Sequence, residues 1–407
     1  MLSKDSRIAY IIIAIGFFLR LAYVQFINPV GSSLYSDMAN YVQVADLIRI
    51  NEWRPSHFFQ PIGFPYLILL LKTLTPKWIS ALEWLQIVAG TLTLFIMWKV
   101  AKESFGEKIG RISLALGAVH LPWIAFTGYA LSENVFILLL ATLAWLTLKL
   151  VREEKLIFAL LWAGVFFAAF LIKGVHIFYA PLFVLALFLY KGKKAIKNIV
   201  IICLVISTGL VGHGLFTKQK IGKFQMSASA GGLNFVEGKC PLKSNADNAG
   251  YSWLSPLYHQ LGMNQMRRWD HPFTDSSFFM KEGLKCIKKD PFVLIQSLEG
   301  IPFLFFGNTL WPVNGSKFKN QMRLYELFFS CFCLVGLVVF TRFFKDSPNK
   351  VEEILLWGLP ILSVMFCVYI FKSEIRFRVP FDVWIIPVAI KGWSLLLKTK
   401  LPDPNSL

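Results

Sequence analysis

The sequence predicts an all-α polytopic membrane protein of about ten transmembrane helices, with its working site in extracytoplasmic loops. Three observations predict it. Only 16% of the 407 residues are charged and 56% are hydrophobic, against roughly a quarter charged in a soluble domain. Apolar runs near the bilayer-crossing length of about 20 residues recur along the chain. Lys and Arg outnumber Asp and Glu 42 to 24, a formal charge of +18, and many of them fall in short loops between those runs. A soluble enzyme is excluded, and no continuous basic face is left for nucleic acid.

Taken in order, Lys4 and Arg7 precede an apolar stretch over 8–27. It is too long for a cleaved signal and has no small-residue cleavage site, so it reads as an uncleaved first span. An outer segment, 28–78, follows. Inside it, 61–75 carries Pro61, Gly63 and Pro65 in its opening turn; at a length of roughly 22 Å it reads as a re-entrant or interfacial helix. Further spans are expected at 79–98, 109–126, 130–150, 156–172, 174–190 and 198–216, completing an N-terminal membrane region, 1–216. A second outer segment, 217–322, precedes a C-terminal membrane region, 323–407, with spans at 323–343, 352–371 and 379–397.

Leaving 61–75 out of the crossings groups Lys99, Lys102, Lys108, Arg111, Arg152, Lys155 and the lysines of 191–197 with the N-terminus. The positive-inside bias then makes that side cytoplasmic. Charge does not settle whether 291–312 crosses. Cys203, Cys331, Cys333 and Cys367 lie in apolar runs as small core residues. Cys240 and Cys286 share the polar outer segment; they could pair in an oxidising compartment, but sequence does not place their Cβ atoms and the pairing is left open.

Charge near a bilayer is costly, so ionisable residues at its edge are the candidates for chemistry. Asp37 follows the first span and Glu133 opens the fourth, both on the outer side. Two carboxylates there suit deprotonation of an acceptor or binding of a metal; helix capping is the plain alternative for each. Arg20 and Glu83 lie inside spans and are expected to neutralise one another or snorkel. Lys173, Arg376 and Arg378 mark outer turns and suit a lipid-borne phosphate, with headgroup anchoring as the alternative. The histidines show no metal spacing, and no Walker loop or GxGxxG supports nucleotide binding.

These residues resemble a known family, the GT-C glycosyltransferases, and within it the bacterial relatives of protein O-mannosyltransferases and of the lipid A aminoarabinose transferase. The likeness rests on Asp37, Tyr41 and Ala45 at Asp-x3-Tyr-x3-Ala spacing and on Gln60-Pro61-Ile62-Gly63-Phe64-Pro65. It continues through Leu131-Ser132-Glu133, Ala230-Gly231-Gly232-Leu233-Asn234-Phe235, Asp290-Pro291-Phe292 and Arg376-Phe377-Arg378-Val379-Pro380. This chain departs from many relatives at Met38, where they carry a second acid, and at Gln60, where they carry Pro.

The resemblance implies a GT-C bundle in a bacterial inner membrane, with 291–312 as a surface helix and ten spans rather than eleven. It implies transfer of a sugar, with inversion, from a polyprenyl phosphate donor to an acceptor hydroxyl of a protein, lipid or glycan outside the cytoplasm. Asp37 would be the base and Glu133 its partner, or both would hold a divalent ion, Mg or Mn, if one is used; no cofactor is certain. Lys173, Arg376, Arg378, Tyr41, His57, Gly232 and Asn234 form the expected substrate-binding set. A lipid-linked sugar flippase using the same charges without chemistry is the rival reading.

Overall fold

The computed structural model describes residues 4–32, 34–240, 274–307, 310, 319–343 and 350–400. Parts of the outer segment expected over 217–322, namely 241–273, 308–309 and 311–318, lie outside the described residues. So do the ends of the two membrane regions, 1–3 and 401–407.

The protein is an all-α polytopic membrane protein, and among the described residues there is no strand. In chain order the helices are α1 (Lys4–Ala22), α2 (Asp37–Arg49), α3 (Gly63–Leu74), α4 (Trp78–Phe105), α5 (Glu107–Ala118), α6 (Leu121–Gly128), α7 (Glu133–Glu153) and α8 (Leu156–Ile172). They continue as α9 (Tyr179–Lys191), α10 (Ile196–Ile221), α11 (Ala230–Lys239), α12 (Ser276–Lys289), α13 (Val293–Phe306), α14 (Lys319–Phe343), α15 (Lys350–Ile370) and α16 (Ile375–Leu397).

Among the described residues, seven helical stretches are long and apolar enough to cross a membrane, and the bent pair α5 and α6 makes an eighth. The span expected at 109–126 is this pair, bent by 51° at a break before Leu121, where Pro122 follows and suits a fresh helix start. The 17-residue α8 is shorter than a full crossing, and the single stretch Gly174–Ile221 is divided between α9 and α10 at Gly192, whose φ is +57°. A side chain would strain that turn. These two features separate the ten spans read from sequence from the eight counted by length. The stretch read as 61–75 is α3, a 12-residue helix. Part of the stretch read as 291–312 is the short apolar helix α13.

The core lies where α7 meets α8, α9 and α16. Trp162 stacks on Phe183 with ring centroids 4.7 Å apart. Its indole nitrogen donates to Thr147, whose hydroxyl also meets Tyr179 at 2.9 Å. Buried polar tips thus find partners while their rings fill the interior. Arg20 and Glu83 do not pair, contrary to expectation. Arg20 is fully buried and donates to Gly16 O at 2.9 Å in its own helix, with its guanidinium in space left by Gly90 of α4. Glu83 instead accepts from the backbone N–H of Val30 at 3.1 Å.

Candidate active site

Four chain turns converge at one end of the bundle. Ser36, at φ 50° and ψ −123°, turns the chain into α2 without donating or accepting a side-chain cap bond. Such a backbone is costly and persists only where its surroundings hold it. Asp37 is consequently the first residue of α2, and its carboxylate turns outward from the helix rather than capping it. Oδ1 accepts from Gln60 Nε2 at 2.6 Å, and Oδ2 accepts from Arg376 Nη1 at 3.0 Å.

Glu133 opens α7 in the same manner. Gln86 of α4 fixes the turn before it, donating to Leu131 O at 2.7 Å and to Tyr129 O at 3.2 Å. Fully buried, Glu133 accepts from Arg376 Nε and, at 2.6 Å, from Lys173 Nζ. Lys173 stands at the end of α8, where the backbone becomes extended. Arg376 lies in the first turn of α16. The result is an unbroken chain of alternating charge, Asp37, Arg376, Glu133 and Lys173, contributed by four separate elements.

This chain borders a cavity of about 250 Å³. Asp37, Tyr41, Gln60, Lys173, Asn234 and Arg376 line it beside the apolar Phe59, Phe170, Ile172, Val175, Leu233, Phe371 and Phe377. The helix α11 closes one wall. The backbone N–H groups of Ser229 and Ala230 donate to the carbonyls of Phe58 and Phe59, and that of Lys372 donates to Asn234 O. Gly238 lies so close to Phe371 that a Cβ would fall 2.6 Å from its carbonyl oxygen. Cys240 and Cys286 form a disulfide joining the end of α11 to α12, with Cα atoms 5.4 Å apart.

A second charged group on the same wall was not found by sequence reasoning. Lys372 bridges Glu374 at 2.9 Å and Glu237 at 3.2 Å, and both Lys372 and Glu374 reach the cavity. Burial would lower the Lys372 ammonium, but Glu237 and Glu374 outweigh it and hold its pKa above the ordinary lysine value. Burial would raise Glu374, and Lys372 reverses that, leaving it below the usual carboxylate range. Burial lowers Lys173 despite the opposing pull of Glu133. Burial, then Asp37 and Glu133, push the Tyr41 phenol up, so it stays protonated at neutral pH. The one available signal was density: Lys372, Glu374, Arg376 and Arg378 crowd a membrane edge.

Three expected substrate-binding residues are placed elsewhere. Arg378 is fully buried away from the cavity, against Glu326 at 2.6 Å, Ser330 at 2.9 Å and Asp382 at 3.2 Å. Along a helix, two residues turn a side chain most of the way to the opposite face. Gly232 sits within α11 rather than in a tight turn and faces the start of α12, where a Cβ would meet Ser276 O at 2.3 Å. Its neighbour Gly231 lines the cavity instead. His57 is buried in the turn before α3, Nδ1 accepting from Arg54 N at 3.4 Å, and is absent from the cavity wall.

Residues 59–214 match the family model of the dolichyl-phosphate-mannose-protein mannosyltransferases. That stretch contains Gln60, Glu133 and Lys173. In three dimensions the chain is similar to the apo crystal structure of the Archaeoglobus fulgidus oligosaccharyltransferase, with a TM-score of 0.55 at 12% identity over 96% of this chain and 51% of that one. The match to that family covers under half of this chain, and the likeness to the archaeal enzyme is one of fold. The same archaeal enzyme tethered to an acceptor peptide containing an NVT sequon gives a TM-score of 0.50 at 13% identity, over 96% of this chain and 50% of that one. ArnT from Cupriavidus metallidurans, bound to undecaprenyl phosphate, aligns over 97% of this chain and 81% of its own at 11% identity and a TM-score of 0.40. This chain spans about half the length of the archaeal oligosaccharyltransferase. No curated protein matches it.

The site was also tested for a divalent ion. Among the described residues no three His, Cys, Asp or Glu side chains converge to hold a metal. Asp37 and Glu133 each face Arg376, and Glu133 faces Lys173 as well. An ion such as Mg or Mn between them would meet two cations, so this arrangement of donors does not fit one.

Proposed function

We propose that this protein is an integral membrane glycosyltransferase that moves a sugar from a polyprenyl phosphate donor to an acceptor hydroxyl on the extracytoplasmic side of a bacterial inner membrane. The observation that carries this reading is the alternating charge chain in which Asp37, Arg376 and Lys173 reach the wall of a mostly apolar cavity and Glu133, buried behind them, joins the two cations. The cations suit a phosphate and the aromatic lining suits the tail attached to it. The archaeal oligosaccharyltransferase, a neighbour in fold, holds an acceptor peptide, which is in keeping with transfer to an acceptor at such a site.

Two observations support the outer side. The Cys240–Cys286 disulfide fastens α11, the helix along one wall of the cavity, to α12, and disulfides persist in oxidising compartments. The helix ends remote from the cavity, at Phe105, Glu153 and Lys191, carry the basic loops expected on the cytoplasmic side.

In the reaction the acceptor oxygen attacks the anomeric carbon as the bond from that carbon to the lipid phosphate oxygen breaks. Asp37 takes the hydroxyl proton. Arg376 and Lys173 stabilise the negative charge gathering on the departing polyprenyl phosphate. Glu133 gathers both cations at the edge of the cavity before the phosphate arrives.

The test gives purified protein a labelled polyprenyl phosphate hexose and compares it with Asp37→Asn. Loss of about 10²–10⁴-fold in turnover is expected; equal turnover would remove Asp37 as the base. Movement of labelled lipid across a vesicle membrane without sugar transfer would favour the flippase reading.

A further inference from the structure

Asp37 has two oxygens, and the structure treats them differently. Arg376 holds Oδ2 at 3.0 Å, while a neutral amide, Gln60 Nε2, holds Oδ1 at 2.6 Å. Gln60 is itself held: its Oε1 accepts from Asn40 Nδ2 at 2.7 Å. Asn40 sits one turn along α2 from Asp37 and is buried, with 6% of its surface exposed. This relay fixes which end of the Gln60 amide faces the carboxylate. A flipped amide would set carbonyl against carboxylate and NH2 against NH2. Pro61 follows Gln60 and biases its backbone toward extended conformations.

We infer that Gln60 is a positioning residue, seated by Asn40, that keeps Asp37 oriented by its Oδ1 while Oδ2 is handed from Arg376 to the acceptor hydroxyl. The inference rests on the transferase reading. In the resting site Arg376 occupies the oxygen that must take the proton. An anionic phosphate entering the cavity competes for that guanidinium, since a charged acceptor with free oxygens forms a paired contact with it. As Arg376 turns to the phosphate, Asp37 would lose both orientation and compensation if the ion pair were all that held it. The neutral amide does not respond to the phosphate in this way, so it stays.

The experiment uses full-length protein in detergent with labelled polyprenyl phosphate hexose, comparing wild type with Gln60→Leu, Gln60→Glu and Asn40→Leu. Gln60→Leu is expected to lower kcat about tenfold with donor KM changed less than twofold, and to move the acid limb of the rate–pH profile to higher pH, because a lost donor leaves the ionised carboxylate less favoured. Asn40→Leu should move both readouts the same way by less, and Gln60→Glu, which sets an acid against Asp37, by more. A second readout does not need turnover. The infrared carboxylate band that disappears in Asp37→Asn should shift in frequency in Gln60→Leu. An unmoved band together with an unmoved pH profile would overturn the relay. Absence of transfer by the wild type, with the band shift present, would instead strike the transferase reading and leave the seating of Asp37 standing.

Discussion

Arg376 and Arg378 are two residues apart on one helix and lie in opposite kinds of environment. Arg376 joins Asp37 and Glu133, which come from the starts of two other helices, and the group borders an open cavity. Arg378 joins Glu326 and Asp382, with His120 Nε2 3.0 Å from Asp382 and His120 Nδ1 2.7 Å from Tyr325, in a cluster sealed between α14, α16 and the break before α6. The first group can exchange partners with whatever enters. In the second, Arg378 and Asp382 are fully buried and Glu326 alone borders a separate cavity, so the value of the group is to hold helices together at fixed spacing. Similar charges therefore serve as a reactive surface in one place and as a fastener in the other, and access to the cavity decides which.

Substitutions should separate the two groups. The largest effect expected is that of Asp37→Asn on turnover, about 10²–10⁴-fold, with the melting temperature little changed. Next comes Arg378→Met, which leaves Glu326 and Asp382 buried without their cation and should cost about 3–5 kcal/mol of stability, read as a lowered melting temperature. If Arg378→Met kept its stability and lost only donor binding, the contrast between the two arginines would fail. A ligand should sharpen it: polyprenyl phosphate at a hundred times its Kd should stabilise wild type by about 2.7 kcal/mol. The shift should vanish in Arg376→Met and survive in a folded Arg378→Lys.

Lys239 offers a smaller third case, a buried cation whose bonds run to Ser297 Oγ at 2.7 Å and Tyr369 O at 2.6 Å rather than to a carboxylate. Burial pushes its ammonium down to about 8 from an ordinary 10.5. Between those values the unfolded chain binds the proton and the folded chain does not, so this group makes stability rise with pH across that window, while its full cost is present below about 8. Lys239→Met should flatten that rise in a melting-temperature series relative to wild type.

Much of this was legible in the sequence because bilayer crossing leaves a long, simple signal. The spans beginning near Ile8, Trp78 and Glu133 and the last three all fall where apolar length put them. The bend before Leu121 was missed because a broken helix and a straight one share the same hydropathy. Asp37, Glu133, Lys173 and Arg376 could be singled out as charges at a membrane edge, and their meeting is a property of the fold. Arg378 was grouped with Arg376 because spacing on paper does not say which face of a helix is sealed. Gln60 stood out only as a departure within a motif and Asn40 left no trace, since uncharged amides are unremarkable outside a membrane span and acquire meaning only from the atoms beside them. The Arg20 and Glu83 pairing failed for a related reason: opposite charges in neighbouring spans need not share a depth or a face.

One crossing in the bundle bears on how a bulky lipid could be admitted. Gly336 of α14 and Gly392 of α16 face each other so closely that a Cβ on Gly392 would stand 1.9 Å from the Gly336 carbonyl oxygen, a small-residue contact that lets two backbones touch. The stem bearing Arg376 is thus bolted to its neighbour and has little freedom to slide. The backbone that presents Arg376 to the cavity is therefore held at a fixed distance from α14, and any change of partner at that residue falls to its side chain.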